Sequence, residues 1–370
     1  MAEFLVEVYL RHDDSRTARS HTERAERTAA DLNRAGRPVR CVRSIFIPED
    51  ETFLLLYRAP SLELVEEAVS RMGLTYEHIS VAASARPSST RSTFTRGTAV
   101  TQTTLVSELR DKQQKVWSSG DYNKIAALTV PLSEFLVDHI GVTPQSRVLD
   151  VATGTGHAAL AAARRGAIVS GIDYVPTLVD IARRRATAED LEADFAEADA
   201  EHLPYADDAF DYVVSAIGVM FSADHQRAAR EMARVCRPGG TVAAASWTQQ
   251  GFVGGMLATV GRHVSPPPGA QPATRWGEEA VVAELLGDEV VDVRSVTNTV
   301  TQRFVDAGAF ADLFLTFYGP TFAAASRLDD HGRTALRSDL VALAERFDRG
   351  EGDALVVDWE YRVVTAKKRG

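Results

Sequence analysis

The chain has 370 residues, 45% of them hydrophobic, two cysteines and a formal net charge of -10. Two domains of ordinary size fit that length, and the apolar fraction suffices for packed cores, which excludes collagen-like, disulfide-scaffolded and wholly disordered chains. No run reaches the roughly 18–20 apolar residues of a membrane span, the opening MAEFLVEVYLRHDD lacks the basic start and cleavage site of a secretory signal, and Cys41 and Cys236 fit a reducing cytosol, so a cytoplasmic protein without membrane or nucleic-acid partners is expected.

Residues 3–10, EFLVEVYL, alternate Phe4, Val6 and Val8 on one face and predict a strand. A polar, Ala-rich helix follows over Arg16–Ala35 and stops at Gly36-Arg37-Pro38. Strands are expected over 39–47 and 52–57, joined by a turn at Pro48-Glu49-Asp50-Glu51. Ser61 is placed to cap a second helix with a stripe of Leu64, Val65, Ala68 and Val69, which Gly73 closes, and residues 76–82 give a last strand. The order β-α-β-β-α-β is the ferredoxin-like plan, an α+β domain over residues 1–82.

FLVEVYL, VRCVRSIFIPEDETFLLLY and APSLELVEEAV resemble small actinobacterial ferredoxin-like proteins of a nickel-binding-like group. His12, His21, Cys41 and His78 are the available ligands, but none shows a tight metal-binding spacing, so no metal site is assigned. A packing, dimerisation or substrate-gating role suits this segment, and a homodimer is one outcome it leaves open.

Residues 83–104 carry three arginines and no acid and are dense in Ser and Thr. They read as a flexible linker, with a phosphate-binding arm as the alternative. The -10 charge therefore resides mostly in residues 105–370, with 27 basic and 37 acidic side chains.

From residue 105, strands alternate with helices, which implies a parallel sheet. RVLDVA, residues 147–152, is a short strand ending near Asp150. It runs through Thr153-Gly154-Thr155-Gly156 into the Ala-rich helix HAALAAARRG. Glycines there let a ligand approach the backbone, and the helix start offers free N–H groups. Asp150 disfavours an anionic pyrophosphate and suits a ligand with an ammonium group. IVSGID, residues 168–173, is a second strand ending in Asp173, at the distance where a carboxylate grips ribose hydroxyls. ADAE, 198–201, precedes LPY; FDYVVSA, 210–216, is a further strand; RPGGTV, 237–242, turns into the next.

VLDVATGTG, GIDYV, EADAEHLPYADDAFDYVVS and MARVCRPGGTVAAASW together resemble class I S-adenosylmethionine-dependent methyltransferases, nearest the ubiquinone/menaquinone-biosynthesis-like branch, over about residues 107–366. The resemblance implies an α/β Rossmann-like seven-stranded sheet with the last strand, in 354–366, antiparallel. Ala152 stands where the family often has glycine. By the resemblance Asp150, Ala152, Gly154 and Gly156 cradle the methionine end of S-adenosyl-L-methionine, Asp173 holds the ribose, and Tyr174, Asp199 and Ala200 the adenine. Ala216 lies at the end of a wall strand, and Trp117 and Tyr122 close over the cofactor. His225 and Tyr122 are the candidate catalytic groups, with His225 equally placed to flank a helix. The aromatic-rich segment 247–320 is expected to build a pocket for a small-molecule methyl acceptor within a cap region around 247–350, and 327–349 reads as a solvated helix. The competing readings are an NAD(P)-dependent oxidoreductase, which shares a glycine loop and a ribose acid, and a metal sensor with a degenerate methyltransferase domain.

Overall fold

The computed structural model describes residues 2–9, 15–47, 52–72, 78–82, 102–267, 269–350 and 352–370. The chain divides into two units, residues 1–97 and 98–370. The expected turn at 48–51, the close at Gly73, His12 and the linker up to residue 101 lie outside the described residues. Residues 102–104, expected in that linker, belong to a helix.

In the first unit the elements are β1 (Ala2–Tyr9), α1 (Ser15–Arg34), β2 (Arg40–Ile47), β3 (Thr52–Ala59), α2 (Leu62–Arg71) and β4 (His78–Ala82). The strands pair antiparallel in the order β2-β3-β1-β4. Period-two alternation puts Phe4, Val6 and Val8 in one buried cluster with Leu55 and Tyr57 of β3. The helices cover that cluster with Ala25, Ala29 and Leu32 of α1 and Val65, Ala68 and Val69 of α2. Ser61 holds the N-cap position of α2, but its hydroxyl makes no capping hydrogen bond. Among the described residues, no group of three or more His, Cys, Asp or Glu side chains is placed to hold a metal ion.

The second unit opens with α3 (Gln102–Trp117), α4 (Tyr122–Ala126) and α5 (Val130–His139). Strands and helices then alternate: β5 (Arg147–Val151), α6 (His157–Ala163), β6 (Ile168–Asp173), α7 (Pro176–Ala188), β7 (Ala193–Glu197), β8 (Phe210–Ala216), α8 (His225–Val235) and β9 (Cys236–Trp247). The chain continues through α9 (Phe252–His263), α10 (Glu279–Leu286), β10 (Val290–Phe304), α11 (Ala307–Phe317), α12 (Gly319–Ser326), α13 (Asp330–Phe347) and β11 (Leu355–Lys368). The seven strands run in the order β10-β11-β9-β8-β5-β6-β7. Strands β9, β8, β5, β6 and β7 are mutually parallel, and β11 runs antiparallel between β9 and β10. This is the α/β Rossmann-like sheet with an antiparallel strand inserted near one edge. Its β5, β6 and β8 are short and almost wholly buried, as parallel strands with both faces covered must be.

Two expectations need correction. Residues 290–304, taken with the aromatic-rich segment 247–320 as pocket-building and given no strand, form the long edge strand β10, whose alternation is carried by polar and β-branched residues. Residues 330–347 are not a wholly solvated helix, because Leu336, Leu340, Leu343 and Ala344 form a buried stripe on α13.

Candidate cofactor site

The C-terminal ends of β5, β6 and β8 open onto a cleft with an empty volume of about 820 Å³, mouth included. A parallel sheet places its ligand crevice at this edge, where the strand order reverses between β5 and β8. Asp150, next to last in β5, is 1% exposed. Its Oδ2 accepts hydrogen bonds from the Thr153 hydroxyl at 2.6 Å and the Ala159 backbone N–H at 3.0 Å. Its Oδ1 is buried and has no partner. Burial, opposed by those two hydrogen bonds and reinforced by nearby Asp173, pushes its carboxyl up to about 7.

Asp173 ends β6. Its oxygens accept from the backbone N–H groups of Gly154 and Val175, each at 2.9 Å. Burial lifts it to about 6 against those bonds. This carboxylate therefore ties the glycine loop to the next strand while facing the cleft. Gly154 adopts φ +55, and a Cβ there would sit 3.6 Å from the Tyr122 ring. Ala152 adopts φ +55 as well, and Ile217, after β8, adopts φ +54. Both are non-glycine residues held left-handed, at about 1–2 kcal/mol each, and both line the cleft. Ala152, where the resembled motif often has glycine, thus holds a backbone conformation that glycine adopts without strain.

The opposite wall comes from α3 and α4. Arg110 of α3 reaches Asp199 at 3.0 Å and the buried Glu201 at 3.2 Å. Gln114 donates to the backbone carbonyl of Tyr174. Trp117 packs edge-on against Tyr122, Phe221 and Tyr318, with centroids 5.2, 4.8 and 5.6 Å apart. The hydroxyl of Tyr174 is buried without a partner. Burial and the neighbouring Asp173 push both the Tyr122 and Tyr174 phenols above their ordinary range, so each keeps its proton.

Of the residues singled out in the sequence, Trp117, Tyr122, Asp150, Ala152, Gly154, Asp173, Tyr174, Asp199, Ala200 and Ala216 all line this cleft. Gly156 does not. It is the N-cap residue of α6 at φ +86, where a Cβ would press on Ala182 at 3.1 Å and Phe195 at 3.3 Å. His225 does not line it either. The first residue of α8, it is 1% exposed, packs against Trp276 at 6.0 Å, and is held down to about 4 chiefly by burial. The helix-flanking alternative describes its place, and the helix cap is Asp224. Arg110 and Ile217 carried no sequence signal, because a polar helix and a strand end look ordinary until the fold brings them to one wall; Glu201 lay in the ADAE stretch, where its pairing with Arg110 could not be read.

The group implied by the resemblance fits these residues. An ammonium would find the unpartnered, buried Oδ1 of Asp150, and ribose hydroxyls would find spare lone pairs on Asp173. The same burial yields a stability prediction. A carboxyl raised from about 3.8 to about 7 in the folded chain binds more protons there than when unfolded. Ionised Asp150 therefore destabilises the ligand-free protein, by a penalty that builds as pH rises above about 4 and is complete above about 7. Asp150→Asn, which removes that penalty, raises the melting temperature of the ligand-free protein at pH 8 and loses this advantage near pH 4. Thermal scans across that range check it, and a melting temperature at pH 8 below wild type contradicts it.

Residues 149–244 match the family model of a methyltransferase domain. An uncharacterized protein of Mycobacterium tuberculosis strain H37Rv is 44% identical over 260 residues, which are 69% of this chain and 93% of that protein. The demethylmenaquinone methyltransferase of Thermus thermophilus is 50% identical over 96 residues, 25% of this chain and 44% of that enzyme. The solved YcgJ protein of Bacillus subtilis aligns with a TM-score of 0.45 at 18% identity, over 65% of this chain and 99% of its own. Fold and cleft thus define a chain built on a class I methyltransferase domain. It belongs to the same family as the mycobacterial protein.

Proposed function

We propose that the chain is an S-adenosyl-L-methionine-dependent methyltransferase acting on a small aromatic or apolar metabolite. The observation that carries this reading is Asp150, a buried carboxylate with one unpartnered oxygen beside a glycine loop. A dinucleotide would bring a pyrophosphate to that loop, and an unpaired carboxylate would repel it, which disfavours the oxidoreductase reading. When bound, the cofactor supplies an electrophilic methyl group on a positively charged sulfur.

The chain's own residues then bind and orient. Asp150 receives the ammonium, and Gly154 admits the ligand close to the backbone. Asp173 accepts the ribose hydroxyls. Tyr174 packs along the adenine edge with Ala200, and Asp199 stays available through the oxygens it shares with Arg110 and the Glu201 N–H. Trp117 and Tyr122 close the cleft against water. Tyr122 keeps its proton at Oη, so it is a hydrogen-bond donor toward the cleft and not a base. Transfer from an activated donor depends chiefly on alignment, which a closed aromatic wall supplies.

The N-terminal unit, with its β-α-β-β-α-β order, is read as a ferredoxin-like module that packs, dimerises or gates rather than binds the cofactor. A cytoplasmic setting fits the two cysteines. Residues 98–370 alone are therefore expected to bind S-adenosylhomocysteine within about threefold of the full chain by calorimetry. A folded fragment that does not bind contradicts this division of labour.

A further inference from the structure

The seven-stranded sheet ends in two unlike edges. At one, β7 has five residues, carries Asp194 and Glu197, and gives its Phe195 carbonyl to the Arg183 guanidinium. Short length, charge and a covering side chain are the devices that keep an edge strand from pairing with another chain. At the other edge β10 has 15 residues, and its stretch 295–302, SVTNTVTQ, holds no charge, proline or glycine.

The ladder settles which backbone groups of β10 face outward. The Thr248 N–H donates to the Glu360 carbonyl, so Glu360 turns its main chain toward β9. Its neighbour on β10, Thr299, therefore turns its own away from β11. The Thr299 N–H meets the side-chain oxygen of Asn298 at 2.8 Å. By alternation Ser295, Thr297 and Thr301 face outward as well, and among the described residues no other element bonds to the backbone of these four.

The strand also complements itself. Val296-Thr297-Asn298-Thr299-Val300 reads the same in both directions. A two-fold axis at Asn298 sets Thr297 opposite Thr299 and Ser295 opposite Thr301 of a second copy, outward residue against outward residue, each pair exchanging two backbone hydrogen bonds. Val296 then meets Val300 of the second copy. The bulge between Val291 and Arg294 brings exposed Asp292 beside exposed Arg303 of the second copy, acid to base at both ends, while Arg294 faces Gln302 rather than a like charge.

We propose that β10 pairs antiparallel with β10 of a second copy of this chain about a two-fold axis at Asn298, so that one sheet runs through both chains. The contact is isologous and uses up the β10 edge of each copy, so it closes at two. It stands independently of what the cofactor cleft binds.

Sedimentation of the full chain between about 1 and 100 µM is expected to show conversion to twice the mass of one chain. Thr299→Pro removes an N–H that faces outward and leaves the ladder to β11 intact. Asn298→Lys sets two like charges opposite each other at the axis. Each is expected to weaken dimerisation more than tenfold, with circular dichroism confirming the fold. Across the axis the two Asn298 Cα atoms would lie about 4.5 Å apart, within disulfide reach. Asn298→Cys is therefore expected to cross-link on mild oxidation, with Thr299→Cys and the wild type, which retains Cys41 and Cys236, as blanks. A single-chain mass at 100 µM, a mass that grows beyond two chains, a dimer unaltered in folded Thr299→Pro and Asn298→Lys, or cross-linking of Thr299→Cys in place of Asn298→Cys overturns the assignment. If Thr299→Pro does not fold, Asn298→Lys and the cross-link carry the test.

Discussion

Asp150→Asn is expected to weaken S-adenosylhomocysteine binding by about 100-fold while the chain stays folded. The substitution keeps an acceptor for the Thr153 hydroxyl and the Ala159 N–H, so the loop retains its shape. What it removes is the charge that meets the ammonium, and a charge-assisted hydrogen bond in a water-poor site contributes about 3 kcal/mol, or about two powers of ten. The pH dependence follows from the same group. Without ligand, burial places the Asp150 carboxyl at about 7 and Asp173 at about 6. Wild-type affinity should therefore fall as pH drops through 7 toward 5, because protonated Asp150 no longer pairs with a cation. The Asn variant should show a flatter profile. Calorimetric titrations at pH 8, 7, 6 and 5 separate the two, and equal affinity of variant and wild type at pH 8 removes Asp150 from the site.

Asp173→Ala is expected to take binding below detection, a loss exceeding 100-fold. This carboxylate does two things at once. It holds the Gly154 and Val175 N–H groups, and it faces the cleft where ribose hydroxyls would lie. Its loss removes ligand contacts and frees the loop whose left-handed Gly154 shapes the cleft. Asp173→Asn, which retains one carbonyl oxygen, should recover part of the affinity. Calorimetry with circular dichroism as a folding control measures this, and a folded Asp173→Ala protein that binds like wild type contradicts the role.

Much of this site was legible in sequence because its parts are local. Asp150 with its glycine loop, Asp173 at the next strand end and Asp199 in its loop are each fixed by a strand terminus and a turn, and ordered strands bring them together. Residues that depend on long-range placement were not legible. Arg110 meets Asp199 and Glu201 only because α3 folds back over the cleft. His225 read as a base because it follows β8, but its ring turns into the packing against Trp276 rather than the cleft. Gly156 looked like a cradle residue from its motif, whereas the packing of α7 and β7 against it explains the need for glycine. Strand β10 escaped notice since its alternation is carried by Thr, Ser and Val rather than large apolar residues. The aromatic-rich segment expected to build an acceptor pocket contributes largely to the core: Trp247, Phe252, Met256, Trp276, Phe314 and Tyr318 are all buried.

Left-handed backbone at Ala152 and Ile217 belongs to the same picture. Two non-glycine residues in a sparsely allowed region, on one cleft, are strain held by the surrounding sheet. Both line the cofactor cleft.

The most direct measurement is calorimetric titration of the full chain with S-adenosylhomocysteine and, in parallel, with NADH. Saturable one-to-one binding of S-adenosylhomocysteine at micromolar affinity, with no heat from NADH, is the predicted result. Binding of NADH in its place would contradict the assignment of Asp150 and Asp173 to a methyl-donor site.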